Sequence, residues 1–191
     1  MERLMDGDLT TLVAVKAWLP DMGGVTTSDA LLAQLISAAS TFVCNYTGRA
    51  SFGVTAYAED YDGAGHSFLL LRQWPVTDIV GISIGGVATS AAFHLQPPIP
   101  GGGNQRLSLI GAVFPRGRAN ITIRYSAGYA APPADVAQAT IELAAERFKT
   151  RDRIGQTSKT LGGQETTAFS TAAMSPTVAA LLAPYRRVIP C

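Results

Sequence analysis

From Leu31 to Tyr46 apolar side chains return every three or four residues: Leu31, Leu32, Leu35, Ile36, Ala39, Phe42, Val43 and Tyr46. That spacing lines one face of an α-helix and leaves Gln34, Ser37, Ser40 and Thr41 on the other. Ser28 is placed to cap this helix, Asp29 suits its positive end, and Gly48 closes it after about five turns. From Ser51 the period falls to two. Ala119, Ile121, Ile123 and Tyr125 alternate with Asn120, Thr122, Arg124 and Ser126, as on a strand with one wet face. At Pro132-Pro133 the helical period returns, runs through Val136, Ile141, Leu143, Ala144 and Phe148, and ends at Asp152 or Ile154. This order predicts an α+β fold: a small helical bundle of about four helices with an inserted antiparallel β-region.

The remaining elements fit that plan. A first helix is expected over Thr11 to Leu19, capped by Thr10 and ended by Pro20 and Gly23-Gly24. Its apolar face would be Leu12, Val15, Trp18 and Leu19. Within the β-region, Phe68 to Leu71 is a short apolar run, and Ile82 and Ile84 lead into a Gly85-Gly86 turn and Val87, as in a hairpin. Pro97, Pro98, Pro100 and Gly101 to Gly103 must form a loop. About four to six short strands are expected here. Ser175-Pro176 opens a last short helix with Val178, Leu181 and Leu182 on one side, and Pro184 ends it. The predicted organisation is helices over 1–50, a β-rich region over 51–128, a long core helix over 129–154, and an arm, short helix and tail over 155–191.

The chain has 191 residues, enough for one domain or one domain with an insertion. It holds no apolar run long enough to span a membrane. Its first residues, with two early acids and no apolar segment, do not read as a signal peptide. Cys44 and Cys191 are expected as reduced thiols rather than a disulfide. Without a secretory signal, Asn45-Tyr46-Thr47 and Asn120-Ile121-Thr122 read as chance matches to the glycosylation pattern.

A search for chemistry finds no catalytic, cofactor or metal site. His66 and His94 have no partner at metal-ligand spacing. Glu59, Asp60 and Asp62 cluster around Tyr57 and Tyr61 without the spacing of an EF-hand. They read as a solvated turn before a strand or as an acidic interface patch. No Gly-x-Ser-x-Gly elbow is present, and the glycine pairs and triplets lack the Lys-Ser/Thr of a phosphate loop. A structural or binding role is therefore favoured over catalysis.

Charge points the same way. Net charge is +1, yet residues 147–191 hold seven basic and two acidic side chains against eight and twelve in residues 1–146. Arg147, Lys149, Arg151, Arg153 and Lys159 gather where the core helix ends and a polar strap begins. Basic residues there complement the helix dipole. They also suit an acidic neighbour or the phosphates of DNA. Residues 155–174 carry almost no large apolar side chains, so a lone subunit gains little by ordering them.

Six stretches, in order, resemble the head–tail connector (adaptor, or head-completion) family of tailed phages and gene-transfer particles. They are LTTLVAVKAWLP at 9–20, DALLAQLISAASTFVCNYTGR at 29–49, EDYDGAGHSFLLLRQWPV at 59–76, IRYSAGYAAPPADVAQATIELAAERFKTRDRIG at 123–155, SKTLGGQETTAFS at 158–170 and MSPTVAALLAPYRRVIP at 174–190. The stretch from Ser83 to Arg118 matches least. Val13-Ala14-Val15 stands where similar sequences often carry an acid that would complete a capping box.

The resemblance implies a structural virion protein, made in the host bacterial cytoplasm and resident at the head–tail junction. It implies a homo-oligomeric ring of about twelve subunits. The ring would dock on the portal protein and present a platform to a stopper or tail-terminator protein. Double-stranded DNA would pass through it without sequence specificity. On this reading Leu181, Leu182, Tyr185, Arg186, Arg187, Val188 and Ile189 form a portal-docking tail, Tyr and Arg being common interface anchors. Residues 155–174 would reach across to a neighbouring subunit. The basic cluster would face a subunit interface or the DNA channel, with Glu59, Asp60 and Asp62 as its acidic counterpart. The alternatives are another head-completion part, such as a stopper or tail-completion protein, and a small DNA-binding regulator, for which no recognition helix is evident.

Overall fold

The computed structural model describes residues 7–20, 22, 24–96, 105–151 and 174–187, together with the backbone of 158–161 and 165–168. The chain forms two compact units, one from residues 1–48 and 132–191, the other from residues 49–131. The first holds the helices and one two-stranded sheet, and the second is built of antiparallel sheets, an α+β fold with the β-rich unit inserted in the chain.

Four α-helices are found among the described residues: α1 (Leu12–Trp18), α2 (Asp29–Thr47), α3 (Ala134–Thr150) and α4 (Pro176–Leu182). α3 packs against the other three, and α1 also meets α2. Val15, Leu32, Ile36, Val43, Val136, Leu143, Val178 and Leu182 are buried in their core. Apolar area withdrawn from water, at about 25 cal/mol per Å2, is what holds such short helices together.

The helix ends depart from expectation in detail. Thr11, not Thr10, caps α1: its Oγ1 accepts the Ala14 N–H at 3.2 Å. Thr10 is buried instead. Ser28 stands at the N-cap of α2 without a side-chain cap, and only its carbonyl accepts, from Leu32 N at 2.9 Å. Gly48 does close α2, with φ 68°, a left-handed conformation that glycine adopts without a Cβ penalty. Ser40, expected on the wet face of α2, is buried because its hydroxyl accepts the N–H of Leu9 at 3.0 Å. A buried backbone N–H needs such a partner. Leu31, expected on the apolar face, is exposed.

The strap contains two strands, β8 (Ser158–Leu161) and β9 (Glu165–Ala168), which pair antiparallel with Lys159 opposite Thr167. β-Branched Thr160, Thr166 and Thr167 favour this extended backbone.

Among its described residues the β-rich unit has seven strands, one more than the upper expectation: β1 (Thr55–Gly63), β2 (Phe68–Leu70), β3 (Val76–Ile84), β4 (Val87–Ala88), β5 (Phe93–Leu95), β6 (Arg106–Leu109) and β7 (Gly117–Ala127). They form a four-stranded sheet in the order β1-β7-β3-β4 and a three-stranded sheet in the order β2-β6-β5. Gly85 and Gly86, both at positive φ, make the expected turn between β3 and β4. One core serves both sheets. Tyr61, Val76, Ile82, Ile121, Ile123 and Tyr125 come from the first, and Leu69, Leu107 and Leu109 from the second. The inner faces of the two sheets are therefore packed on each other, as in a small sandwich.

Candidate assembly surfaces

The C-terminal residues are placed by α4 and the turn after it. Ser175 Oγ accepts the Val178 N–H at 3.3 Å and Pro176 occupies the first turn, so the start of α4 is fixed. Leu182 is 0% exposed and belongs to the core, while Leu181 is only partly buried. A short 3-10 turn at Ala183–Tyr185 then redirects the chain. The Tyr185 hydroxyl donates to Asp135 Oδ2 at 3.5 Å, and the Arg186 guanidinium lies 5.2 Å from the Tyr46 ring centre. Arg187 N donates to the Thr47 carbonyl at 2.8 Å, satisfying one of the open carbonyls at the end of α2. Of the residues expected to dock, Leu182 is thus a packing residue. Tyr185, Arg186 and Arg187 lie on the surface of their own helical unit, and Val188 and Ile189 lie outside the described residues.

The basic helix end is partly engaged locally. Arg147 lies over Phe42, 5.2 Å from the ring centre, and Arg151 lies over Phe148 at 4.0 Å. Arg151 Nη1 also donates to the Phe148 carbonyl at 2.7 Å, which places a cation at the negative end of α3. Lys149 is exposed. Arg153 lies outside the described residues, and Lys159 is placed only as backbone in β8.

The acidic residues sit in a strand, not in a turn before one. β1 carries Glu59 on the core side with Tyr57 and Tyr61, and Asp60 on the outer side with Ala58. Glu59 Oε2 accepts from the hydroxyls of both Tyr61 and Tyr125, the latter at 2.7 Å. The same hydroxyls accept the N–H groups of Arg72 at 3.0 Å and Gln73 at 3.2 Å. This network ties the segment between β2 and β3 to β1 and β7. Burial, with the Glu59 carboxylate beside it, pushes the Tyr61 phenol up to about 12. Burial likewise raises Tyr125, and the Tyr61 and Glu59 hydrogen bonds add to it. Asp60 accepts from Thr122 Oγ1 at 2.7 Å, and Asp62 accepts the Ala119 N–H at 2.6 Å. Both remain exposed.

His66 stacks on Phe68 with ring centres 5.7 Å apart, and His94 is exposed in β5. Among the described residues no group of three His, Cys, Asp or Glu converges on a point, and no helix is long and apolar enough to cross a membrane.

Sequence reasoning missed one surface. Trp18, expected in the core, is 50% exposed. It borders an open cleft of about 480 Å3 together with Glu142, Ala145, Glu146, Lys149, Thr150 and Ser175. Val15 and Leu19 take the inner side of the α1 segment and leave the indole beside them. A period of three or four cannot distinguish Trp18 from Val15 or Leu19, so the sequence carried no separate signal for it.

Residues 8–188 match the family model described as head completion protein. The chain belongs to the head completion protein family. Solved structures agree on the fold. A chain from the neck of an empty gene transfer agent particle, computed with C6 symmetry, is 20% identical with a TM-score of 0.61, covering 100% of this chain and 95% of that one. A chain from the neck of the native particle, computed with C12 symmetry, is 22% identical with a TM-score of 0.56, covering 96% of each. A third, from the virion of the native particle, is 20% identical with a TM-score of 0.57 and covers 99% of this chain and 95% of that one. No curated protein matches the sequence. The head-completion match spans the four helices and all the strands found among the described residues, and extends in sequence to Val188.

Proposed function

We propose that this head completion protein is a structural part of the virion that joins the DNA-filled head to the tail. The observation that carries the reading is the family match over residues 8–188. In this reading about twelve copies form a closed ring, as cyclic assembly of one subunit allows. The ring docks on the portal protein, extends the DNA channel, and offers its far side to a stopper or tail-terminator protein. DNA passes through without sequence specificity, and the protein performs no reaction. It is made in the bacterial host cytoplasm and resides at the head–tail junction.

The segment 155–174 serves as an arm laid over a neighbouring subunit. Ordering a polar hairpin is unfavourable for one chain and is offset by contacts shared around a ring. The portal is met by the tail: the exposed Arg186 with the half-buried Tyr185 and Arg187, continued in sequence by Val188 and Ile189, with Leu181 beside them. Arg147, Lys149, Arg151, Arg153 and Lys159 face a neighbouring subunit, and the exposed Asp60 and Asp62 offer a complementary surface.

The test is to delete the gene from a producing strain and image the particles. DNA-filled heads that lack tails, and that regain them when the protein is supplied, are expected. Heads that acquire tails normally without it would overturn the reading.

A further inference from the structure

Two surfaces of this chain are complementary in charge. The first is the cleft bordered by Trp18, Glu142, Glu146 and Lys149, with Ala145 also lining it. It offers a half-exposed indole and two carboxylates against one ammonium. Among the described residues Lys16–Asp29, at 2.8 Å, is the ion pair formed, so neither carboxylate of the cleft is paired with a cation there. The second surface is the segment Pro115–Ala119, where the chain enters β7. Arg116 and Arg118 are both exposed on it.

This segment is held in one conformation. Asn120 Oδ1 accepts the Gly63 N–H at 2.9 Å, and its Nδ2 donates to the Pro115 carbonyl at 2.9 Å. Asp62 takes the N–H of Ala119, which sits at φ 46°, a conformation uncommon for a residue with a Cβ. A Cβ on Gly63 would stand 1.8 Å from the Pro115 oxygen, and one on Gly117 would stand 2.7 Å from Asn120. The segment thus carries an uncommon conformation at Ala119 and needs a glycine at 63, where a Cβ would meet backbone, and it presents two guanidinium groups. A preorganised segment loses little entropy on binding.

We propose that the cleft receives the Arg116-Gly117-Arg118 segment of a second copy of this chain. One guanidinium stacks on Trp18, and the pair meets Glu142 and Glu146. Guanidinium over indole is the most favourable cation–π pairing, and the planar fork of arginine suits carboxylates. The two surfaces are different parts of the chain, so each copy uses its arginine segment on one neighbour and its cleft on the other. Such head-to-tail contact is the kind that closes into a ring. The inference rests on the ring reading above and names the contact that forms the ring.

The full-length protein is tested by light scattering across a concentration series, with and without portal. The variants are Arg116→Glu with Arg118→Glu, Glu142→Arg with Glu146→Arg, and all four substitutions together. Each pair alone is expected to weaken self-association at least tenfold, and the four together to restore it. Trp18→Ala weakens it without changing its salt dependence. Circular dichroism checks that each variant folds. If a reversed variant does not fold, Arg118→Cys with Glu146→Cys in a Cys44→Ser, Cys191→Ser background is expected to give a cross-linked ladder that neither single cysteine gives. A wild-type ring unaffected by all these changes, or Glu variants that fail while Arg variants assemble, would overturn the contact and leave the ring standing. A wild-type chain that stays monomeric throughout, portal included, overturns the ring reading and the contact with it.

Discussion

The guanidinium of Arg49 lies 4.3 Å from the centre of the Trp74 ring and donates from Nη2 to the Trp74 backbone carbonyl. Phe52 and Tyr129 approach the same guanidinium at 4.8 and 5.4 Å. A charge so enclosed, 4% exposed, recovers from the ring faces part of what it loses in hydration. It links the first residues of the β-rich unit to the segment before β3 and to the residues after β7. Arg49→Ala is expected to destabilise this unit by about 3 kcal/mol, with Lys restoring only part. Urea unfolding followed by tryptophan fluorescence measures it, and an unchanged midpoint would refute the role.

Tyr125→Phe removes a donor to Glu59 and an acceptor for Gln73, and is expected to lower stability by about 1–3 kcal/mol. Tyr61, whose phenol is raised from 10.0 to about 12, adds a pH dependence. The neutral phenol is the form the fold favours, so its contribution is complete below pH 10 and fades as pH rises towards 12. Tyrosinate absorbance should lag in the folded protein, and Tyr61→Phe should flatten the loss of stability over that window.

Leu182→Ala is expected to cost about 2–5 kcal/mol in thermal or urea unfolding, because the side chain is fully buried in the helical core. Arg186→Glu should change stability by about 0.5 kcal/mol or less, since the described contact of its side chain is with the Tyr46 ring at the surface. If the tail docks on the portal, that same variant weakens binding to portal-bearing heads. Equal binding by Arg186→Glu and wild type would count against docking through this residue.

Gly63→Ala puts a methyl group into the Pro115 carbonyl, a backbone atom that cannot step aside. The expected loss is about 2–3 kcal/mol. A melting temperature equal to wild type would show that the segment entering β7 is not held as described.

The helices were legible because α2 and α3 repeat their apolar residues over several turns, and residues with one conformational use mark a boundary of each: Gly48 the end of α2, Pro132-Pro133 the start of α3. β1 was hidden because its charges look like a turn. Glu59 sits on the core side only because two tyrosine hydroxyls, one of them from β7, come to meet it, and no local pattern announces a partner sixty-six residues away. Ser40 misled for the same reason, its burial being decided by the N–H of Leu9. Of the candidate surfaces, the basic helix end and the tail could be named from charge and residue type. The Trp18 cleft and the braced arginine pair arise from segments far apart in the sequence, and only folding brings their parts together.

The helical unit is made from both ends of the chain, with all of residues 49–131 intervening. During synthesis α1 and α2 therefore leave the ribosome long before α3, the helix on which they pack, has been translated. The inserted sheets hold their whole core within one continuous stretch and are complete first. The cleft lined by Trp18, α3 and Ser175 does not exist until all three stretches have been translated, so a contact between copies through it would have to come after the inserted sheets are made.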